Sequence, residues 1–163
     1  MLSLALVLLV ALAVAMLLAR PRNLVRLYAN EFARNIKDAA LTVTRALPTA
    51  DGTVTSSDID LGAVAGGLSL ENVELSVEVP ALSSTHLPSA DTLTLTVQGG
   101  AAASPTTSLN LVKVITGTGS TIPAQELRFR LPSDCPRYIN VKSVAAGGTG
   151  DISGVSITIA LRF

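Results

Sequence analysis

A chain of 163 residues has the length of one domain, and with one cysteine, Cys135, and one histidine, His86, it lacks the parts for an intrachain disulfide or a histidine-based metal site. Its formal charge is zero but unevenly divided: residues 1–40 carry five basic groups (Arg20, Arg22, Arg26, Arg34, Lys37) against two acidic ones, which leaves seven basic against ten acidic groups, a net charge near −3, for residues 41–163. With that balance, 3% aromatics and no tryptophan, the chain has neither a basic stripe for phosphates nor a platform for stacking bases, so no nucleic-acid partner is expected.

Residues 1–19 are apolar apart from Ser3, and Arg20-Pro21-Arg22 ends the run abruptly. As a helix the run would be just long enough to cross a bilayer, which takes about 20 residues. A signal peptide would carry positive charge ahead of its apolar stretch, and here only Met1 precedes it. The arginines follow it, which as an anchor would hold the rest of the chain on the cytoplasmic side. Residues 1–22 therefore read as an anchor, as a helix buried in a protein assembly, or as upstream sequence included through a misplaced start codon. A membrane is an expected partner only if residues 1–19 act as the anchor.

Residues 23–40 read as an amphipathic helical or extended arm. Leu24, Leu27, Tyr28, Glu31, Phe32 and Ile36 recur at spacings of three and four, with Arg34, Lys37 and Asp38 on much of the other side. Such a stripe either covers one end of the domain that follows or docks on a neighbouring subunit. Tyr28, Phe32 and Ile36 are the candidate interface residues.

From residue 41 to 163 the apolar period is two, the signature of half-buried strands. Leu41–Val43 opens the first sheet and Val54–Leu61 is a second strand. Val73, Leu75, Val77 and Val79 alternate with Glu74, Ser76 and Glu78; Leu93, Leu95 and Val97 alternate with threonines; Leu127, Phe129 and Leu131 alternate with Arg128 and Arg130. Between Leu109 and Thr116 the phase slips at Leu111-Val112, which predicts a bulge. Tyr138–Val144 keeps Ile139 and Val141 on one side, and Val155, Ile157, Ile159, Leu161 and Phe163 alternate to the end. About eight strands with turn residues between them, and no strand–helix–strand spacing, predict an all-β antiparallel sandwich or jelly roll. Its expected core is Val73, Leu75, Leu93, Leu95, Leu127, Phe129, Ile157 and Ile159.

No catalytic set assembles from these residues, so no enzyme and no cofactor is expected. Asp58 and Asp60 share a face at i, i+2, as paired carboxylates for acid–base work or calcium would, but no further ligands follow, and a solvated edge is the simpler reading. His86 sits near Ser83 and Ser84 without an orienting carboxylate. Arg137 lies close enough in sequence to lower the pKa of Cys135, but with no base at hand the thiol reads as incidental. Gly66-Gly67, Gly99-Gly100 and Gly147-Gly148 lack the Lys-Ser/Thr ending of a phosphate loop.

Two stretches do point to a family. Lys37-Asp38-Ala39-Ala40-Leu41-Thr42, a Thr/Ser-rich interval and Ile59-Asp60-Leu61-Gly62 resemble the opening of a family of tailed-bacteriophage capsid cement (decoration) proteins. Leu131-Pro132-Ser133-Asp134-Cys135-Pro136-Arg137-Tyr138-Ile139-Asn140-Val141 looks like that family's Leu-Pro…Arg-Tyr segment, and an alternating C-terminal strand follows in both. The likeness spans residues 37–163; residues 1–22 depart from it. It implies a jelly-roll virion protein on the outer capsid surface that bridges subunits of the major capsid protein and pairs with itself as a dimer or trimer, without catalysis. A membrane-anchored bacterial surface or pilin-like β-domain is the alternative, although the charged leader and early glutamate of pilins are missing.

Overall fold

The computed structural model describes residues 37–62, 73–148 and 150–162. Among these described residues nine strands form two antiparallel sheets: β1 (Lys37–Ala46), β2 (Thr53–Thr55), β3 (Ile59–Asp60), β4 (Glu74–Val79), β5 (Thr92–Gly100), β6 (Thr107–Thr116), β7 (Gln125–Arg130), β8 (Tyr138–Ala146) and β9 (Ser156–Arg162). Sheet A has the order β1-β9-β4-β7 and sheet B the order β2-β8-β5-β6, with β3 also pairing β8. Counting β2 and β3 as one interrupted strand gives eight, and the chain crosses between sheets as a jelly roll does. The predicted all-β sandwich is the observed fold.

The core lies between the sheets. Sheet A contributes Leu75, Val77, Ile157, Ile159 and Leu161, and sheet B contributes Leu93, Leu95, Val97, Ile139 and Val141, all 1% exposed or less. Seven of the eight predicted core residues are buried; Leu127 is only half-buried because β7 is an edge strand that neighbours cover on one side. β1 starts at Lys37, four residues before the expected opening.

The expected strand at 54–61 is broken in two by hydrogen bonding. Ser56 N–H donates to the Val141 carbonyl at 2.9 Å, and Val141 N–H donates to Ser56 Oγ at 3.0 Å, so a hydroxyl stands where a backbone carbonyl would accept. The bulge in β6 falls earlier than the slip suggested. Val97 pairs Leu111 while Gln98 pairs Ser108, so Leu109 and Asn110 are the extra residues. Asn110 takes a left-handed φ of 61°, a conformation Asn tolerates better than most residues. One glycine is required by contact: at Gly147, φ 131°, a Cβ would collide with the buried Asp91 carboxylate, which accepts from Gly150 N–H at 3.1 Å.

Candidate functional site

The predicted interface residues Tyr28, Phe32 and Ile36 lie outside the described residues. What the described residues offer is two outer sheet faces, one loop junction and two small hollows.

Directly paired residues of an antiparallel sheet share a face, so register assigns each face. On the outer face of sheet A stand Glu74, Ser76 and Glu78 from β4, Glu126, Arg128 and Arg130 from β7, and Thr158, Ala160 and Arg162 from β9. These side chains are knitted together. Arg162 meets Glu126 at 2.5 Å and Glu78 at 3.8 Å, Arg128 meets Glu126 at 3.3 Å and Glu74 at 3.7 Å, and Ser76 Oγ donates to Glu126 at 2.6 Å. The Ser76 hydrogen bond, and after it Arg128 and Arg162, hold the Glu126 carboxyl below the usual range. The network closes over Ser76 and Ala160, each 1% exposed, which is why alternation alone misassigned Ser76 to a solvated face.

Sheet B is different outside. Its outward positions are Thr53 and Thr55 on β2, Lys142, Val144 and Ala146 on β8, Thr92, Thr94 and Thr96 on β5, and Val112, Val114 and Thr116 on β6. Val112 and Val114 are 50% and 49% exposed, the only large apolar side chains so exposed among the described residues. Lys142 is the single charge in this array.

At one end the loop 101–106 folds back over that face. Gln98 Nε2 donates to the Thr106 carbonyl at 2.9 Å, and Asn140 Nδ2 donates to the Pro105 carbonyl at 3.2 Å and to Asp58 at 3.1 Å. Asp58 also accepts from Ser104 N–H at 2.5 Å. Asp58 is therefore half-buried and engaged as a loop anchor, not placed on the solvated edge that its spacing suggested.

Asp60 takes a separate partner. Arg137 Nε and one terminal nitrogen donate to its two oxygens at 2.8 and 2.7 Å, and Gly62 N–H donates at 2.9 Å. The guanidinium holds the Asp60 carboxyl down at about 2 and lies 4.8 Å from the centre of the Tyr138 ring. The two aspartates do not work as a pair, because each is committed to a different partner.

Arg137 does not activate Cys135, since it is spent on Asp60. Burial, and then Asp134, push the thiol up to about 11. His86 Nδ1 accepts weakly from Ser83 N–H at 3.4 Å, while His86 N–H donates to Ser83 Oγ at 3.2 Å: a local turn. No group of three or more His, Cys, Asp or Glu side chains is arranged so that it could hold a metal ion among the described residues.

The hollows are modest. An open groove of about 430 Å³ runs along the outer end of sheet A beside Pro80 and Ala124, and its carboxylates, Glu78 and Glu126, already meet Arg162. A second hollow beside His86 and Asp91 has about 10 Å³, room for one water at most. The first is open and its carboxylates are engaged by Arg162, and the second has no room for a small molecule.

These features define a class, a jelly-roll β-sandwich of two antiparallel sheets. Comparison with known protein families and with curated proteins finds no match for this chain.

Proposed function

We propose that the chain is a structural virion protein, a capsid cement or decoration protein that binds the outside of a phage head and bridges subunits of the major capsid protein. The observation that carries the reading is where the family-like segments meet. Ile59 and Asp60 pair with Ile139 and Tyr138, Leu61 N–H donates to the Arg137 carbonyl at 2.8 Å, and Asp60 grips the Arg137 guanidinium. Two stretches almost 80 residues apart in sequence, which carry the likeness independently, thus make one contact unit. Cementing needs complementary area and not an active site, and weak contacts repeated over a lattice gain through multivalency.

The apolar run at residues 1–19 favours a second reading, a membrane-anchored β-domain. Among the described residues no helix is long and apolar enough to cross a bilayer. One experiment separates the two. Purified protein is mixed with undecorated heads and, in parallel, with lipid vesicles, and each mixture is pelleted. Cementing requires copelleting with heads and greater resistance of those heads to heat or osmotic shock. Partition into vesicles with no binding to heads overturns it in favour of the anchor. Phe32→Asp then tests the arm, since equal binding by this variant would remove Tyr28, Phe32 and Ile36 from the interface.

A further inference from the structure

We infer that the β5–β6 turn is a strap with two registers, latched by Asp58 in one of them and able to take up two residues from β6 when the latch opens. The inference is independent of the cement reading, and either can fail alone. Its first ground is the ladder. From Thr92↔Thr116 to Val97↔Leu111 the two strands keep one register, which then slips by two, so that Gln98 pairs Ser108 and Gly99 pairs Thr107. Carried on without the slip, the first register would pair Gln98 with Asn110 and Gly99 with Leu109. A shift of two returns every side chain to the face it left, because strand side chains alternate with a period of two. The two registers therefore differ in the turn alone, which beyond Gly99 runs over 100–106 in one and 100–108 in the other.

The second ground is backbone strain. Four non-glycine residues among those described take a positive φ, and two of them, Ser104 at 59° and Asn110 at 61°, flank the slipped pairs. A residue with a Cβ holds that conformation only where its surroundings impose it. In the continued register Asn110 becomes an ordinary strand residue, and Ser104 is no longer pinned.

The third ground is what imposes the strain. Ser104 N–H donates to Asp58 at 2.5 Å, Asn140 Nδ2 to the Pro105 carbonyl at 3.2 Å and Gln98 Nε2 to the Thr106 carbonyl at 2.9 Å. All three ties are polar, and of residues 101–106 only Pro105 is buried. The closed strap also leaves Asn140 Oδ1 buried with no hydrogen-bond partner, an acceptor that water reaches once the strap lifts. Two strained residues and one unmet acceptor thus stand against three hydrogen bonds. A segment with so little apolar burial opens well short of global unfolding. Asp58 is the latch because its carboxylate ties Ser104 and Asn140 at once.

The test uses the full chain, with NMR cross-strand contacts as one readout and cleavage by elastase, which cuts after small residues such as Ala101, Ala102 and Ala103, as the other. Wild type should show residue 98 against residue 108. Asp58→Ala opens the latch, and Asn110→Val places a β-branched residue where left-handed backbone is needed. Each should bring in a contact between residues 98 and 110. Each should also raise cleavage of the strap about tenfold or more, the scale of one hydrogen bond to a charged group. Asn110→Gly accepts the left-handed backbone freely, so it should keep the 98–108 contact and be cleaved no faster than wild type. The inference is overturned if Asp58→Ala and Asn110→Val keep the 98–108 contact alone, or if Asn110→Gly is cleaved as fast as they are. Should Asn110→Val fail to fold, Asp58→Ala decides by itself.

Discussion

The two outer faces of this sandwich solve the same problem by opposite means. Sheet A covers its outer face with its own long side chains, so that Arg162, Glu126 and Arg128 lie over Ser76 and Ala160 and leave both buried. Sheet B keeps its outward side chains short apart from Lys142, and it leaves Val112 and Val114 half exposed, the large apolar side chains so exposed among the described residues. A face closed by its own charges resists further cover, because every pair would have to be desolvated. A face of threonine and valine gives up little on being covered. The difference between closed and open surface lies in side-chain length and charge, since the backbones beneath are alike.

The largest expected effect tests whether the asymmetry stops at the surface. Leu95 in sheet B and Ile159 in sheet A are both 0% exposed in one shared core. Leu95→Ala and Ile159→Ala should each cost about 2–5 kcal/mol, as deletion of buried branched side chains does. Chemical denaturation of the two variants measures this. If one cost is a small fraction of the other, the sheets differ inside as well as outside, and the comparison of faces loses its footing.

A smaller effect should separate the faces themselves. Arg162 is 9% exposed and meets both Glu126 and Glu78, so Arg162→Met should cost about 1.5–3 kcal/mol, the range for hydrogen bonds to charged groups. Thr94→Ala on the open face should cost about 1 kcal/mol or less, the span of strand propensity. Equal losses would mean that the ion pairs of sheet A do not stabilise it beyond ordinary surface packing. Glu126→Gln added to Arg162→Met should recover part of the loss, because it removes the carboxylate left short of a partner.

Much of this architecture was legible before any coordinates, and the illegible parts share a cause. Period-two alternation reports which side a residue faces, and it placed Leu75, Leu93, Leu95, Ile157 and Ile159 correctly. It reports nothing about what covers the far side. Ser76 and Asn140 were therefore missed as buried residues: a salt-bridge network covers the first and the 101–106 loop the second. Asp58 and Asp60 had the right spacing for joint work, but their partners, Ser104 and Asn140 for one and Arg137 for the other, come from strands and loops that spacing cannot see. The outward valines of β6 were visible in the sequence as a phase slip. That they are exposed followed only once β6 was known to lie at an edge.

The smallest expected effect concerns the Asp60–Arg137 clamp beside the β3–β8 pairing. Asp60 and Arg137 are both well exposed, and exposed pairs contribute little to stability. The clamp should nevertheless leave a signature in pH. The Asp60 carboxyl sits at about 2, down from an ordinary value of 3.8, chiefly because Arg137 hydrogen-bonds its charged form. A carboxyl depressed in the folded state binds fewer protons there than in the unfolded chain. Its contribution is therefore complete above pH 4 and is lost as pH falls from about 4 towards 2. Asp60→Asn removes that titration but leaves the strand in place. The stability difference between wild type and Asp60→Asn should thus be constant from pH 7 down to about 4 and then shrink towards zero near pH 2. High salt should reduce the plateau, as screening does between exposed charges. A difference that stays constant down to pH 2 would show that the protonated Asp60 carboxyl holds Arg137 as well as the carboxylate does. The clamp would then position β3 on β8 through geometry, with charge adding nothing.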